Sequence, residues 1–204
     1  MIRRDLEAVH EMRMAATLAL TTRPALCGGV YRLSLTPHIL SCLTRTMSVK
    51  VGDQLPSVDL FEETPANHVN TRDLCSGRKV LLFAVPGAFT PGCSKTHLPG
   101  YIAQHEALKG KGIQEVVCVS INDPFVMAAW GQKQDVGNKV RMLADTNGDF
   151  TKALGMGQDL EVLGGLRSKR YSMVVEDGKV TQLNAEPDGK GLTCSLAENT
   201  LSKL

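Results

Sequence analysis

One cysteine of this chain stands in a setting suited to nucleophilic chemistry. Cys93 lies in the stretch 86–97, reading PGAFTPGCSKTH, where Gly- and Pro-rich residues join a short apolar run to a run with helical spacing. Upstream, Val80-Leu81-Leu82-Phe83-Ala84-Val85 is bounded by Gly77-Arg78-Lys79 and Pro86-Gly87, the pattern of a strand buried on both faces. Downstream, Leu98, Ile102 and the Ala107-Leu108 pair recur at near-helical spacing. The spacing predicts a strand-to-helix turn near Cys93. There, unpaired N–H groups and the positive end of the helix dipole favour thiolate over thiol, which makes Cys93 a candidate nucleophile.

The remaining cysteines bound the chemistry differently. Cys27, Cys42, Cys75, Cys118 and Cys194 are too scattered for a disulfide-stapled scaffold, and no C-x-x-C pair occurs that would hold structural zinc. Cys118 falls inside an apolar run and reads as core, whereas Cys75, before Ser76-Gly77, reads as exposed. His97 lies four residues after Cys93 on the same helical face, placed to tune the thiolate or, with it, to hold a metal, although two ligands do not make a metal site; the alternative is a bystander. Trp130 and Met127 read as packing residues, and Asp123 as a helix cap.

The elements that must position Cys93 follow an alternating order. After the strand at 80–85 and its helix, Gly110-Lys111-Gly112 stops the helix and Val116-Val117-Cys118-Val119-Ser120 forms a second buried strand. Asn122-Asp123-Pro124 starts a helix expected to run through Met127 and Trp130 and to end at Gly137. Residues 140–144 give a third strand, and 145–149 turn into a short helix. Asp177-Gly178 between two apolar runs is a hairpin signal, and a last helix is expected near 196–201. This order implies an α/β fold, three layers with a mixed central sheet.

Composition narrows the function. With 204 residues and 43% hydrophobic residues, the chain suits one domain plus an extension. A net charge of +2 and the lack of basic patches interleaved with aromatics argue against nucleic-acid binding, and no apolar run is long enough to span a bilayer. Residues 1–46 hold six arginines, no lysine and three acids, a composition that describes a mitochondrial transit peptide, with an unaddressed disordered tail as the alternative. Met47 then precedes the domain of 47–204 and offers a second start for a shorter cytosolic form. Ser202-Lys203-Leu204 matches the C-terminal peroxisomal address that an import receptor reads. Three locations are therefore expected: mitochondrial matrix for the long form, peroxisome and cytoplasm for the short one.

Pro86-Gly87-Ala88-Phe89-Thr90-Pro91-Gly92-Cys93-Ser94 resembles the active-site loop of the peroxiredoxins: Pro, three residues, Thr or Ser, two residues, Cys. The resemblance runs over roughly residues 49 to 204, and a matching Arg170-Tyr171-Ser172-Met173 strand and Leu192-Thr193-Cys194-Ser195-Leu196 ending bring it closest to the atypical two-cysteine type. It implies a thioredoxin-like fold and reduction of hydrogen peroxide and alkyl hydroperoxides, with peroxynitrite as a further candidate. It also implies a disulfide between Cys93 and Cys194, with Cys194 as the resolving cysteine, and thioredoxin as reductant. No cofactor or metal is required. Whether the domain forms a homodimer is left open.

The chemistry fits residue by residue. A thiolate that attacks one peroxide oxygen needs donors for both oxygens. Thr90 can offer its hydroxyl, and the backbone N–H groups of Gly92 and Cys93 point to the same place if the helix starts there. Pro86 and Pro91 restrict the loop and shield the sulfenate. Arg170 matches the family's active-site arginine; without that match it would read as one of three basic residues on a solvated strand edge. The loop 186–191, rich in Pro and Gly, is expected to be mobile enough to let Cys194 move. A thiol-disulfide oxidoreductase is disfavoured by Thr90 in place of a first C-x-x-C cysteine. A cysteine hydrolase is disfavoured by the lack of a local His/Asn signature, and a lapsed binding module by the intact motif.

Overall fold

The computed structural model describes residues 48–204, and the readings placed on residues 1–46 and on Met47 lie outside the described residues. In chain order the elements are β1 (Asp59–Glu62), β2 (Thr64–Asn70), α1 (Thr71–Cys75) and β3 (Lys79–Ala84). A π-helical turn (Cys93–His97) then leads into α2 (Leu98–Ala103), α3 (His105–Gly110), β4 (Glu115–Ser120), α4 (Pro124–Lys133) and β5 (Arg141–Ala144). The rest comprises α5 (Asp149–Ala153), a hairpin of β6 (Gly157–Leu160) and β7 (Gly165–Ser168), then β8 (Tyr171–Glu176), β9 (Lys179–Ala185) and α6 (Ala197–Leu201).

Seven strands form one mixed sheet in the order β2-β1-β5-β4-β3-β8-β9. β3, β4 and β5 run parallel, while β8 pairs antiparallel with β3 and β1 antiparallel with β5. The apolar run of β3 sits near the middle and packs on both faces. Val80, Leu82 and Ala84 join Leu74 of α1 and Phe150 of α5, whereas Leu81, Phe83 and Val85 join Leu98, Tyr101, Met127, Trp130 and Ala197. The result is the expected three-layer α/β/α arrangement, with α1 and α5 over one face and α2, α3, α4 and α6 over the other. Among the described residues, no helix is long and apolar enough to cross a membrane.

Local chemistry explains the boundaries. Asp123 caps α4 by accepting the Val126 N–H at 2.9 Å, and Pro124 takes the first helical position. α4 ends at Lys133 rather than running to Gly137, because Asp135 adopts a left-handed φ of 53° and the Val136 N–H closes back onto the Gly131 carbonyl at 3.1 Å. Asp177 and Gly178, at φ 48° and 75°, make the two-residue turn between β8 and β9. The hairpin of β6 and β7 is not legible in the residue pattern, since its strands are four residues each and mostly half-buried, with no clear apolar alternation.

Two expectations are corrected. Cys75 is fully buried at the end of α1 beneath β3, and burial pushes its thiol up to about 12. The loop 186–191 is a tied turn rather than a free one. Its Gly189 N–H donates to the Glu186 carbonyl, Asp188 accepts the N–H groups of Lys190 and Gly191, and Gln158 donates to the Gly189 carbonyl.

Candidate active site

The chain leaves β3 through a constrained loop. Pro86 and Gly87 are buried, and Ala88 donates its N–H to the Asn122 side chain at 3.0 Å. Phe89 holds a left-handed φ of 61°, a sparsely populated conformation for a non-glycine residue. Thr90 donates its hydroxyl to the Gly87 carbonyl at 3.0 Å, so its lone pairs remain free to accept from a ligand. The helix begins at Pro91, near Cys93 as the spacing predicts, with Ser94 N–H bonding back to Thr90 O at 2.9 Å. Among the described residues nothing accepts from the N–H of Gly92 or Cys93, as expected of a first helical turn. Cys93 itself is fully buried at the head of the π-helical turn, where its carbonyl accepts from Leu98.

Arg170 reaches this sulfur from the start of the neighbouring strand, β8, whose Tyr171 pairs with Ala84 of β3. It sits just before β8, with its N–H bonded to Gly189 O and its carbonyl accepting from Glu186 N–H, so the tied turn 186–191 fixes its backbone. The side chain is 4% exposed, not on a solvated edge. Nη1 donates to Cys93 Sγ at 3.3 Å and to His97 Nδ1 at 3.2 Å, and Nε donates to Lys190 O at 3.1 Å. Among the described residues no carboxylate pairs with it, and Nη2 has no acceptor. Gly92 leaves room for this approach: a Cβ there would lie 3.5 Å from Nη2 and 3.3 Å from Leu192 Cδ1.

His97 turns out to be more central than its spacing indicates. It is fully buried, packed edge-on against Phe83 and Tyr101, whose own rings stack at 4.1 Å. Its Nε2 lies 3.1 Å from the Ser195 carbonyl, which also accepts the Tyr101 hydroxyl at 2.6 Å. Burial and the Arg170 charge press the imidazole pKa down to about 3, so the ring is neutral. A guanidinium only donates, and a carbonyl only accepts, which fixes the proton on Nε2.

Cys194 sits one residue before Ser195, half-buried, with its thiol donating to Ala185 O at 3.3 Å. Cys93 and Cys194 are separate free thiols here. Burial and the neighbouring Glu186 charge raise the Cys194 thiol pKa. Glu186 grips both flanks of Cys194, accepting from the N–H and hydroxyl of Thr193 at 2.8 and 2.5 Å and from those of Ser195 at 3.0 and 2.7 Å. Burial alone would raise this carboxyl; the four hydrogen bonds outweigh it and hold the pKa at about 2. Reasoning from the sequence misses Glu186, read there as part of a mobile loop, although an acid eight residues before a cysteine carries no recognisable spacing.

The other residues singled out fall in different places. Cys118 is fully buried on β4, and burial together with nearby Cys93 raises its thiol well above its usual range. Trp130 is core, yet its indole donates to Ser94 Oγ at 3.0 Å beside Cys93. Ser202, Lys203 and Leu204 extend the last turn of α6: each N–H bonds back into the helix, and Lys203 Nζ donates to Asn184 Oδ1 at 2.6 Å. Among the described residues no group of acidic, His and Cys side chains is arranged to hold a metal.

Comparison with known proteins identifies the family. The Redoxin family profile matches residues 50–201. Peroxiredoxin-2C of Oryza sativa subsp. japonica is 46% identical over 160 residues, covering 76% of this chain and 98% of that one. Reduced Prx3 of Vibrio vulnificus in complex with H2O2 superposes with a TM-score of 0.73 at 46% identity, over 76% of this chain and 99% of that chain. Peroxiredoxin 5 of Alvinella pompejana gives a TM-score of 0.67 at 41% identity, over 76% and 99%. With a thioredoxin-like fold and a buried thiol under an arginine, this chain belongs to the peroxiredoxin family of thiol peroxidases.

Proposed function

We propose that Cys93 is the attacking thiol of a peroxidase of the atypical two-cysteine type. The Cys93 thiolate attacks the hydroxyl oxygen of the peroxide, the O–O bond breaks, and the proton of that hydroxyl passes to the other oxygen, which leaves as water or alcohol; sulfur gives up two electrons and becomes a sulfenate, which takes a proton from solvent to give the sulfenic acid. Thr90 Oγ1 accepts a hydrogen bond from the peroxide O–H, and the N–H groups of Gly92 and Cys93 with Arg170 Nη2 hold the oxygens. Pro86, buried where the loop leaves β3, restricts the loop backbone. The Cys194 thiol then condenses with the sulfenic acid, forming an intramolecular disulfide and releasing water.

The observation that carries this reading is the Arg170 guanidinium, buried without a carboxylate and 3.3 Å from Cys93 Sγ. Hydrogen peroxide and alkyl hydroperoxides are the proposed substrates, with peroxynitrite a further one, and thioredoxin is the proposed reductant. The H2O2 complex of the Vibrio vulnificus relative supports the first. Residues 1–46 are proposed as a mitochondrial transit segment, and Ser202-Lys203-Leu204 as the address read by the peroxisomal import receptor on a form starting at Met47.

The test is NADPH consumption through thioredoxin and its reductase after adding hydrogen peroxide. Wild type turns over; Cys93→Ser does not. Cys194→Ser consumes about one peroxide per chain and stalls, because sulfenate forms but is not resolved. Sustained turnover by Cys194→Ser would remove Cys194 from its role.

A further inference from the structure

The same imidazole that touches the peroxide-facing arginine also holds the segment carrying Cys194. Arg170 Nη1 has two hydrogens and spends one on Cys93 Sγ and the other on His97 Nδ1. On the far side of the ring, Nε2–H reaches the carbonyl of Ser195, the residue next to Cys194. Phe83 and Tyr101 fix the ring plane, so the imidazole cannot turn to serve one partner without losing the other.

We infer that His97 is a positioning residue that couples the two halves of the cycle, aiming the Arg170 guanidinium at Cys93 while latching the Cys194 segment in its resting place. This rests on the proposed role of Cys194. Cys194 points to Ala185 O and is bonded to nothing at Cys93, so the segment must leave its site before the disulfide can form. Departure takes the Ser195 carbonyl from both His97 and Tyr101. While the latch is closed, the guanidinium is held in position for peroxide; when it opens, that position is no longer enforced. His97 therefore acts with opposite sign on the two steps, favouring attack and retarding resolution. Tyr101, which bonds Ser195 O but not Arg170, acts on the second step alone.

The chain has a single tryptophan, and its indole is bonded beside Cys93, so its fluorescence follows each step in stopped flow. His97→Phe keeps the aromatic packing and removes both hydrogen bonds. In a Cys194→Ser background it is expected to slow sulfenate formation about tenfold; with Cys194 present it is expected to speed disulfide formation about tenfold. Tyr101→Phe is expected to speed only the second step. Both steps shifting the same way in His97→Phe, or neither shifting, would overturn the coupling. Absence of any disulfide with Cys194 would instead strike the resolving reading, since the first arm does not depend on it.

Nitrogen NMR of labelled histidine in the wild-type protein gives a test that needs no variant. The reduced protein is expected to show a neutral His97 ring protonated on Nε2, and the ring shifts are expected to move on oxidation. A signal unchanged by oxidation would mean that the ring does not sense the Cys194 segment.

Discussion

Buried without a carboxylate, the Arg170 guanidinium has to find its negative partner elsewhere, and the group beside it that can become one is the Cys93 sulfur, 3.3 Å away. Replacing Arg170 by Met removes a charge-assisted bond and is expected to slow sulfenate formation by about 10- to 100-fold in stopped flow. Arg170→Lys restores the charge but not the fork, and should recover only part of the loss. Glu186 is the second residue whose charge has a defined task. Its folded pKa of about 2 lies below its ordinary value, so its stabilisation is fully present above about pH 4.5 and is lost as pH falls through about 2. Glu186→Gln is expected to lower neutral-pH stability on the order of 3 kcal/mol, and this gap should close on acidification. Denaturant melts at pH 7 and pH 2.5 check it; a gap that persists unchanged at low pH would contradict the clamp.

Among the elements, β3 and the start of α4 are legible in the residues because their determinants are local. Six apolar residues in a row demand burial on both faces, and Asp123-Pro124 writes its own cap. Asp145 belongs to the same class: almost fully buried, it accepts the N–H groups of Phe150 and Thr151 at 3.1 and 2.8 Å and so starts α5. Asp145→Ala is expected to cost about 1–2 kcal/mol in thermal unfolding while the peroxide rate is unchanged. Elements fixed by distant partners are not legible. The turn 186–191 looks mobile from its Pro and Gly content, but it is hydrogen-bonded to Arg170 and Gln158 and through its own Asp188. The π-helical turn is equally silent in the sequence; its extra residue shifts the register between Cys93 and the stripe of His97 and Tyr101. Spacing on a regular helix places His97 on the face of Cys93, but not between Arg170 and Ser195.

Across the whole molecule, the site is assembled from three separated stretches: the loop 86–97, the start of β8, and the segment leading into α6. Family resemblance links them, whereas periodicity alone reveals only the first. A polar chain, buried as far as Asn184, continues from Ser195 through Tyr101, Thr200, Ser172 and Asn184 to the exposed Lys203, so the last helix is tied to the same network. Displacing Ser195 loosens one end of that chain. At this scale the proposed address is checked with a fluorescent protein fused ahead of Met47. The fusion is expected in peroxisomes and, with the last three residues deleted, in the cytosol; unchanged location after deletion would contradict the address.

The central claim, that Cys93 attacks peroxide and Cys194 resolves the product, is tested most directly by peptide mapping after one equivalent of hydrogen peroxide. The expected result is a single peptide pair joining Cys93 to Cys194 within one chain, with Cys75 and Cys118 still reduced in their buried sites. Cys93 left as a free thiol while another cysteine is oxidised, or Cys93 bridged to Cys118 instead, would contradict it.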